Sequence, residues 1–203
     1  MDPLSISGAW LHTPRIHTDS RGTFLEAYRA ADLREVAGHG MDLAQLNCSI
    51  SMKGALRGIH FADVPPGQAK YVMCLSGEIH DVVVDLRTGS PDFGRWEAVR
   101  LDDVSRQGLY LAEGLGHGFL TLSERATVVY AISEPFSPGR EHGVHPLDAS
   151  LGIEWPAEVT PILSAKDAKA PTLQEALAAG LLPDHATCLA YYEKLGGVGP
   201  PVH

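Results

Sequence analysis

The stretch AKYVMCLSGEIHDVVVDLR, residues 69–87, decides the fold class. Two runs rich in β-branched and apolar residues flank Ser76-Gly77-Glu78, and this order of run, turn and run predicts a hairpin-like pair of strands. Alternation puts Val82, Val84 and Leu86 on one face of the second run and Asp81, Val83 and Asp85 on the other. Working outward, RWEAVRL (95–101), GLYLAEG (108–114), GFLTL (118–122) and ATVVYAI (126–132) read as further strands. GTFLEAY (22–28), AQLNCSIS (44–51) and ALRGIHF (55–61) precede them. Short strands at this spacing, parted by Gly, Pro, Ser and Asp turns, specify an antiparallel sandwich or barrel. They do not alternate with long helices, which argues against a doubly wound parallel sheet.

Helices are expected only as short pieces. AADLREVAG (30–38) is one. Thr172 and Glu175 form a capping box that opens TLQEALAAG, and HATCLAYYEKLGG (185–197) is stopped by its glycines. The final GGVGPPVH reads as a loose tail. With no internal repeat and no low-complexity linker, residues 1–203 read as one domain, with 185–203 as a C-terminal helix and tail.

Composition narrows the function classes. A chain of 203 residues with 44% hydrophobic and 20% charged residues is ordinary for a globular protein with a full core. No apolar run reaches the roughly 18 residues of a membrane helix, and MDPLSISGAWLH lacks the pattern of a secretion signal. Cys48, Cys74 and Cys188 are odd in number and lack a CxxC spacing, so reduced thiols in a cytoplasm are expected. A formal net charge of −9 disfavours nonspecific binding to nucleic acid or anionic lipid. An anionic small molecule is still admissible, because a pocket needs only a few local cations.

The chemistry-bearing residues are less decisive one at a time. His60, His80 and His117, with Glu78, are the candidates for a metal set, but the chain has neither an H-x-H pair nor HExxH. GLGHGF (114–119) reads locally as a tight turn with His117 as a cap, and LSAKDA (163–168) as a loop before the capped helix. Lys70 opens an apolar strand and alone reads as a solvated end. Ser49, Ser51 and Ser164 lack a G-x-S-x-G elbow, and there is neither a GxGxxG nor a Walker loop.

Together, however, DSRGTFLEAYR, QLNCSISMKGALRGIHF, AKYVMCLSGEIHDVVVDLRTGSPDFG, EGLGHGFLTL, VVYAISEPFSPGREHGV, LGIEWP and LSAKD are collinear with one known pattern. In these segments, over roughly residues 15 to 180, the chain resembles the dTDP-4-dehydrorhamnose 3,5-epimerases of deoxysugar biosynthesis. The resemblance implies an all-β, cupin-type antiparallel jelly-roll barrel with short C-terminal helices. It also implies a homodimer whose N-terminal strands cross to the partner, no metal or other cofactor, and a dTDP-4-keto-6-deoxyhexose substrate.

The resemblance also implies residue roles. His60 would be the base, Asp167 its carboxylate partner, Tyr130 the general acid and Lys70 the donor to the enolate oxygen. Arg21, Phe24, Glu26, Gln45, Asn47, Arg57, Asp81, His117, Phe136, Glu141 and Lys166 would line the nucleotide-sugar site. Such a reaction needs a base, an acid on the other face and stabilisation of an enolate. Arg57 and His60 are an odd number of residues apart, so a regular strand would aim them oppositely; a bulge or kink at Gly58 would let both face a ligand. EPFSPGRE carries Phe136 where many members of the family have a tyrosine, which points to epimerisation at C3 more than at C5. The competing readings are a metal-dependent cupin enzyme, a cupin ketoisomerase and a non-catalytic nucleotide-sugar barrel.

Overall fold

A computed structural model of the chain describes residues 1–196; residues 197–203 of the expected tail lie outside the described residues. In chain order the strands and helices are β1 (Asp2–Pro3), β2 (Ala9–His12), β3 (Ile16–Asp19), β4 (Gly22–Leu25), α1 (Ala30–Ala37), β5 (Gln45–Met52), β6 (Ala55–Ala62), β7 (Lys70–Ser76) and β8 (Glu78–Asp85). There follow β9 (Trp96–Asp102), β10 (Gly108–Leu111), β11 (Leu115–Thr121), β12 (Arg125–Ile132), β13 (Glu141–Gly143), β14 (Ile162–Leu163), a short 3-10 turn (Asp167–Lys169), α2 (Leu173–Ala178) and α3 (His185–Lys194). One sheet has the order β1-β2-β10-β7-β12-β5 and the other β13-β6-β11-β8-β9, with β14 added in parallel to β6. The remaining pair, β3-β4, is a separate hairpin. All the other strand pairings are antiparallel, as in the expected jelly roll.

One expectation from the deciding stretch is overturned. β7 and β8 do not form a hairpin: β7 pairs with β10 and β12, whereas β8 pairs with β11 and β9 in the other sheet. The turn at Gly77 carries the chain across the sandwich. Gly77 has φ +78°, and a Cβ there would lie 2.2 Å from the Arg125 carbonyl oxygen. A sheet-to-sheet crossing and a hairpin turn use the same short glycine signal, and only the long-range partners distinguish them.

Strand alternation sorts the core. Val72, Cys74, Ile79, Val83, Leu109, Leu111, Leu115, Phe119, Ala126 and Val128 fill the space between the sheets. The outer face of the first sheet, with Trp10, Tyr71, Met73 and Tyr110, is covered by Leu33 and Ala37 of α1 and by Cys188 and Tyr192 of α3. Val82 and Val84, the outward face of β8, lie under Val144, Leu151, Leu173 and Ala176. His80 shares that face and meets the Trp155 ring edge-on, away from the inter-sheet space. Both capping predictions for α2 hold: the Thr172 hydroxyl accepts from Glu175 N–H, and the Glu175 carboxylate accepts from Thr172 N–H. Asp184 caps α3 in the same way, through Thr187 N–H.

Candidate active site

The apolar filling between the sheets stops short of one end, and there a cavity of about 400 Å³ opens. Its wall includes Arg57 and His60 of β6, His117 and Phe119 of β11, Lys70 of β7, Tyr130 of β12, Ser49 of β5 and Ser164, Lys166 and Asp167 after β14. β6 and β11 belong to one sheet and β7, β12 and β5 to the other. The two histidines therefore face the tyrosine and the lysine across the gap.

The kink expected at Gly58 is present. His60 is opposite His117, but Arg57 is opposite Phe119, so the β6-β11 register shifts between them. Both Arg57 and His60 thereby reach the cavity. Gly58 has φ +115°, and its missing Cβ would lie 2.5 Å from Gly118 Cα and from the His117 carbonyl oxygen. No residue with a side chain fits this close approach. His117 is not a turn cap. It is in the middle of β11, and the flanking glycines allow Ile59 and Leu86 to pack close to the strand.

Each histidine is held by a buried carboxylate. His60 Nε2 is 2.6 Å from Asp167 Oδ1, and His117 Nε2 is 2.9 Å from Asp81 Oδ1. A carboxylate accepting at Nε2–H leaves the Nδ1 lone pair of His60 as the basic site. Burial would raise the Asp167 carboxyl, but the hydrogen bond and charge of His60, then Ser164 and Lys166, outweigh it and hold it below its usual range. Lys70 is buried, its Nζ lies 3.5 Å from the His60 carbonyl oxygen, and desolvation brings its pKa down to about 8 against the pull of Glu141 and Asp81. Burial pushes the Tyr130 phenol up, opposed by Arg57 and by a hydrogen bond with Asn47, so it stays protonated at neutral pH. The cavity thus sets the carboxylate-held His60 imidazole of one sheet across from the Tyr130 phenol of the other, with the Lys70 ammonium on the same wall as the phenol.

A family model described as dTDP-4-dehydrorhamnose 3,5-epimerase matches residues 3–175. The chain belongs to the dTDP-4-dehydrorhamnose 3,5-epimerase family. This epimerase-family chain is 56% identical over 192 residues to a dTDP-4-dehydrorhamnose 3,5-epimerase of Mycolicibacterium smegmatis, covering 95% of this chain and 94% of that protein. It is 55% identical to a dTDP-4-dehydrorhamnose 3-epimerase of Streptomyces niveus, with 98% and 97% covered. Among solved structures, a 3'-monoepimerase from Streptomyces bikiniensis in complex with dTDP-quinovose matches with a TM-score of 0.94 at 48% identity, covering 97% of this chain and 99% of that one. The jelly-roll architecture is shared with these structures.

Of the residues singled out in the sequence, His60, Lys70, Arg57, His117, Tyr130, Lys166 and Asp167 line the cavity. Asp81 lies behind His117, and Glu141 is near enough to raise the Lys70 ammonium and accepts a hydrogen bond from Gln68. Gln45 donates to Asn47 on the inward side of β5. Arg21 and Phe24 are elsewhere: they line a surface hollow on the β3-β4 hairpin, where Arg21 pairs with Asp19 and Phe24 is 68% exposed. Glu26 follows the hairpin and is 3.7 Å from Arg29. Phe136 is exposed on the loop after β12, and its N–H donates to Gln45. The sequence reading missed Ser49, Ala55, Leu56, Phe119, Ile162, Leu163 and Ser164 as wall residues. Period-two spacing from Gln45 and Asn47 was available for Ser49, and from His117 for Phe119. Among the described residues, no three His, Cys, Asp or Glu side chains cluster as a metal site, and no helix is long and apolar enough to cross a membrane.

Proposed function

We propose that this chain epimerises a dTDP-4-keto-6-deoxyhexose, with C3 as the favoured centre, in a single-domain, cytoplasmic enzyme. The observation that carries this reading is the His60–Asp167 pair on one sheet facing Tyr130 on the other across one cavity. His60 Nδ1 takes the proton α to the C4 ketone, and the electron pair moves into the carbonyl to form an enolate. The Lys70 ammonium stabilises the developing oxygen charge. The Tyr130 phenol returns a proton from the opposite face, inverting the carbon. Asp167 stabilises the imidazolium that forms. The substrate ketone is its own electron sink, so the step balances without an added oxidant, reductant or metal. Arg57 and Lys166 are cations on the cavity wall and would bind the substrate's pyrophosphate, Arg57 by bidentate bonding and Lys166 as a point charge.

The C3 preference rests on Phe136, which offers no hydroxyl, and on the similarity to a 3-epimerase and a 3'-monoepimerase. NMR of dTDP-4-keto-6-deoxyglucose with the protein in D₂O is the test, run with and without EDTA. Deuterium at C3 alone is expected, unaffected by chelator. Deuterium at both C3 and C5 sinks the single-centre reading, and loss of exchange in EDTA favours the metal-dependent alternative.

The working unit in this reading is a homodimer. The β3-β4 hairpin carries Arg21 and Phe24 away from its own cavity, so they would complete the partner's site. Leu46, Ile50 and Met52 form an exposed apolar stripe on the outward side of edge strand β5, which a second copy would cover. Mixing inactive His60→Ala and Arg21→Ala chains should restore about a quarter of full activity. Half of the randomly paired dimers are then mixed, and each of these holds one intact site. No recovery after mixing would refute the exchange.

A further inference from the structure

The Asp167 carboxylate offers two oxygens, and His60 uses only one. Oδ1 meets His60 Nε2 at 2.6 Å, while Oδ2 lies 2.9 Å from Ser164 Oγ. The same Oγ accepts the Asp167 backbone N–H at 3.0 Å. A serine hydroxyl has a single proton, so with Oγ accepting from the backbone its proton goes to Oδ2. Ser164 thereby binds both ends of one residue: it closes the turn that carries Asp167 and sets the rotation of its carboxylate. The turn is further closed by Ala168 N–H donating to the Ser164 carbonyl at 2.9 Å, and β14 anchors it to β6 at Ala55 and Leu56. Base and carboxylate are 107 residues apart in sequence. This short anchored turn is therefore what brings the carboxylate to the imidazole.

We propose that Ser164 is a positioning residue for the His60–Asp167 pair: its hydroxyl, by donating to the free carboxylate oxygen, aims the other oxygen at the imidazole and tempers its basicity. The proposal rests on the epimerase reading above. Without that donor the carboxylate binds the imidazolium proton more tightly and is free to rotate. The protonated pair persists to higher pH, and the neutral base is scarcer. The bland reading, a turn cap alone, needs Ser164 Oγ only as an acceptor and predicts lower stability with an unchanged base.

The experiment follows C3 proton exchange in D₂O across a pH series for wild type, Ser164→Ala, Ser164→Thr, Asp167→Asn and the Ser164→Ala/Asp167→Asn double variant. Ser164→Ala should lower kcat about tenfold and leave KM within about twofold. It should also move the acid limb of the pH profile upward by roughly half to one pH unit. Ser164→Thr, which keeps the hydroxyl, should restore the wild-type limb. In the Asp167→Asn background the Ser164→Ala change should have little further effect, because the two act through one carboxylate. An unshifted acid limb, or full additivity in the double variant, overturns the proposal. Should Ser164→Ala fail to fold, Ser164→Cys keeps the size with a weak donor, and the same upward limb shift is required of it. Absence of exchange in the wild type would refute the epimerase reading itself, an outcome distinct from wild-type exchange with an unmoved limb.

Discussion

Lys70 should set the alkaline limit of catalysis. Its ammonium is buried, and desolvation brings its pKa from 10.5 to about 8. The enolate needs the charged form. About nine-tenths of the lysine is charged at pH 7, half at pH 8 and about one-tenth at pH 9, so kcat should fall about tenfold for each pH unit above 8. Tyr130 does not account for that limb, because burial moves its phenol upward from 10.0. Glu141 is the larger of the two charges supporting the ammonium, so Glu141→Gln should move the limb to lower pH, and Asp81→Asn should do so by less. Stability should move the opposite way to activity. A lysine whose folded pKa lies below its unfolded value costs stability below about pH 8, and the cost fades as pH rises toward 10.5. The gap corresponds to roughly 3 kcal/mol, so Lys70→Met should be more stable at pH 7 by up to that amount and almost inactive. The assays are steady-state rates across pH and urea unfolding at pH 7 and pH 10. A rate that stays level to about pH 10, or a Lys70→Met variant less stable than wild type at pH 7, would refute this account.

Three further outcomes follow from single contacts. Tyr130→Phe should still wash the C3 proton of the substrate into D₂O while forming epimer about 10²–10⁴-fold more slowly, because base and acid are on opposite sheets; equal loss of both would remove the tyrosine from the acid role. Gly58→Ala should destabilise by on the order of 3 kcal/mol, seen as a lower Tm, since its Cβ meets Gly118 Cα and the His117 carbonyl at 2.5 Å. Glu113 is buried, its Oε2 has no hydrogen-bond partner among the described residues, and burial pushes its carboxyl up to about 7 from 4.5. Its folded pKa is raised, so the penalty is absent below about pH 4.5 and complete above about pH 7; Glu113→Gln should therefore gain up to roughly 3 kcal/mol at pH 8 and almost nothing at pH 4.5 in urea melts.

The amino-acid sequence alone was enough to place the main strands from Gln45 to Ile132 and the period-two alternation along them, but it did not mark the short strands β1, β2, β3, β13 and β14. It also carried the caps at Thr172 and, through its motifs, the identities of His60, Lys70, Tyr130 and Asp167. Those features are local: alternation, a capping box and a motif are written in neighbouring residues. Tertiary structure decided three things. Ser76-Gly77-Glu78 crosses between sheets instead of closing a hairpin, because strand partners are chosen across the whole chain. His117 lies inside a strand, because Gly116 and Gly118 are needed for close packing against Ile59 and not for a turn. Ser164 meets the second oxygen of a carboxylate whose first oxygen holds a histidine 107 residues away, a contact no local pattern specifies. The general reason is that spacing along the chain sets which way a side chain points, whereas pairing between distant strands sets what it points at.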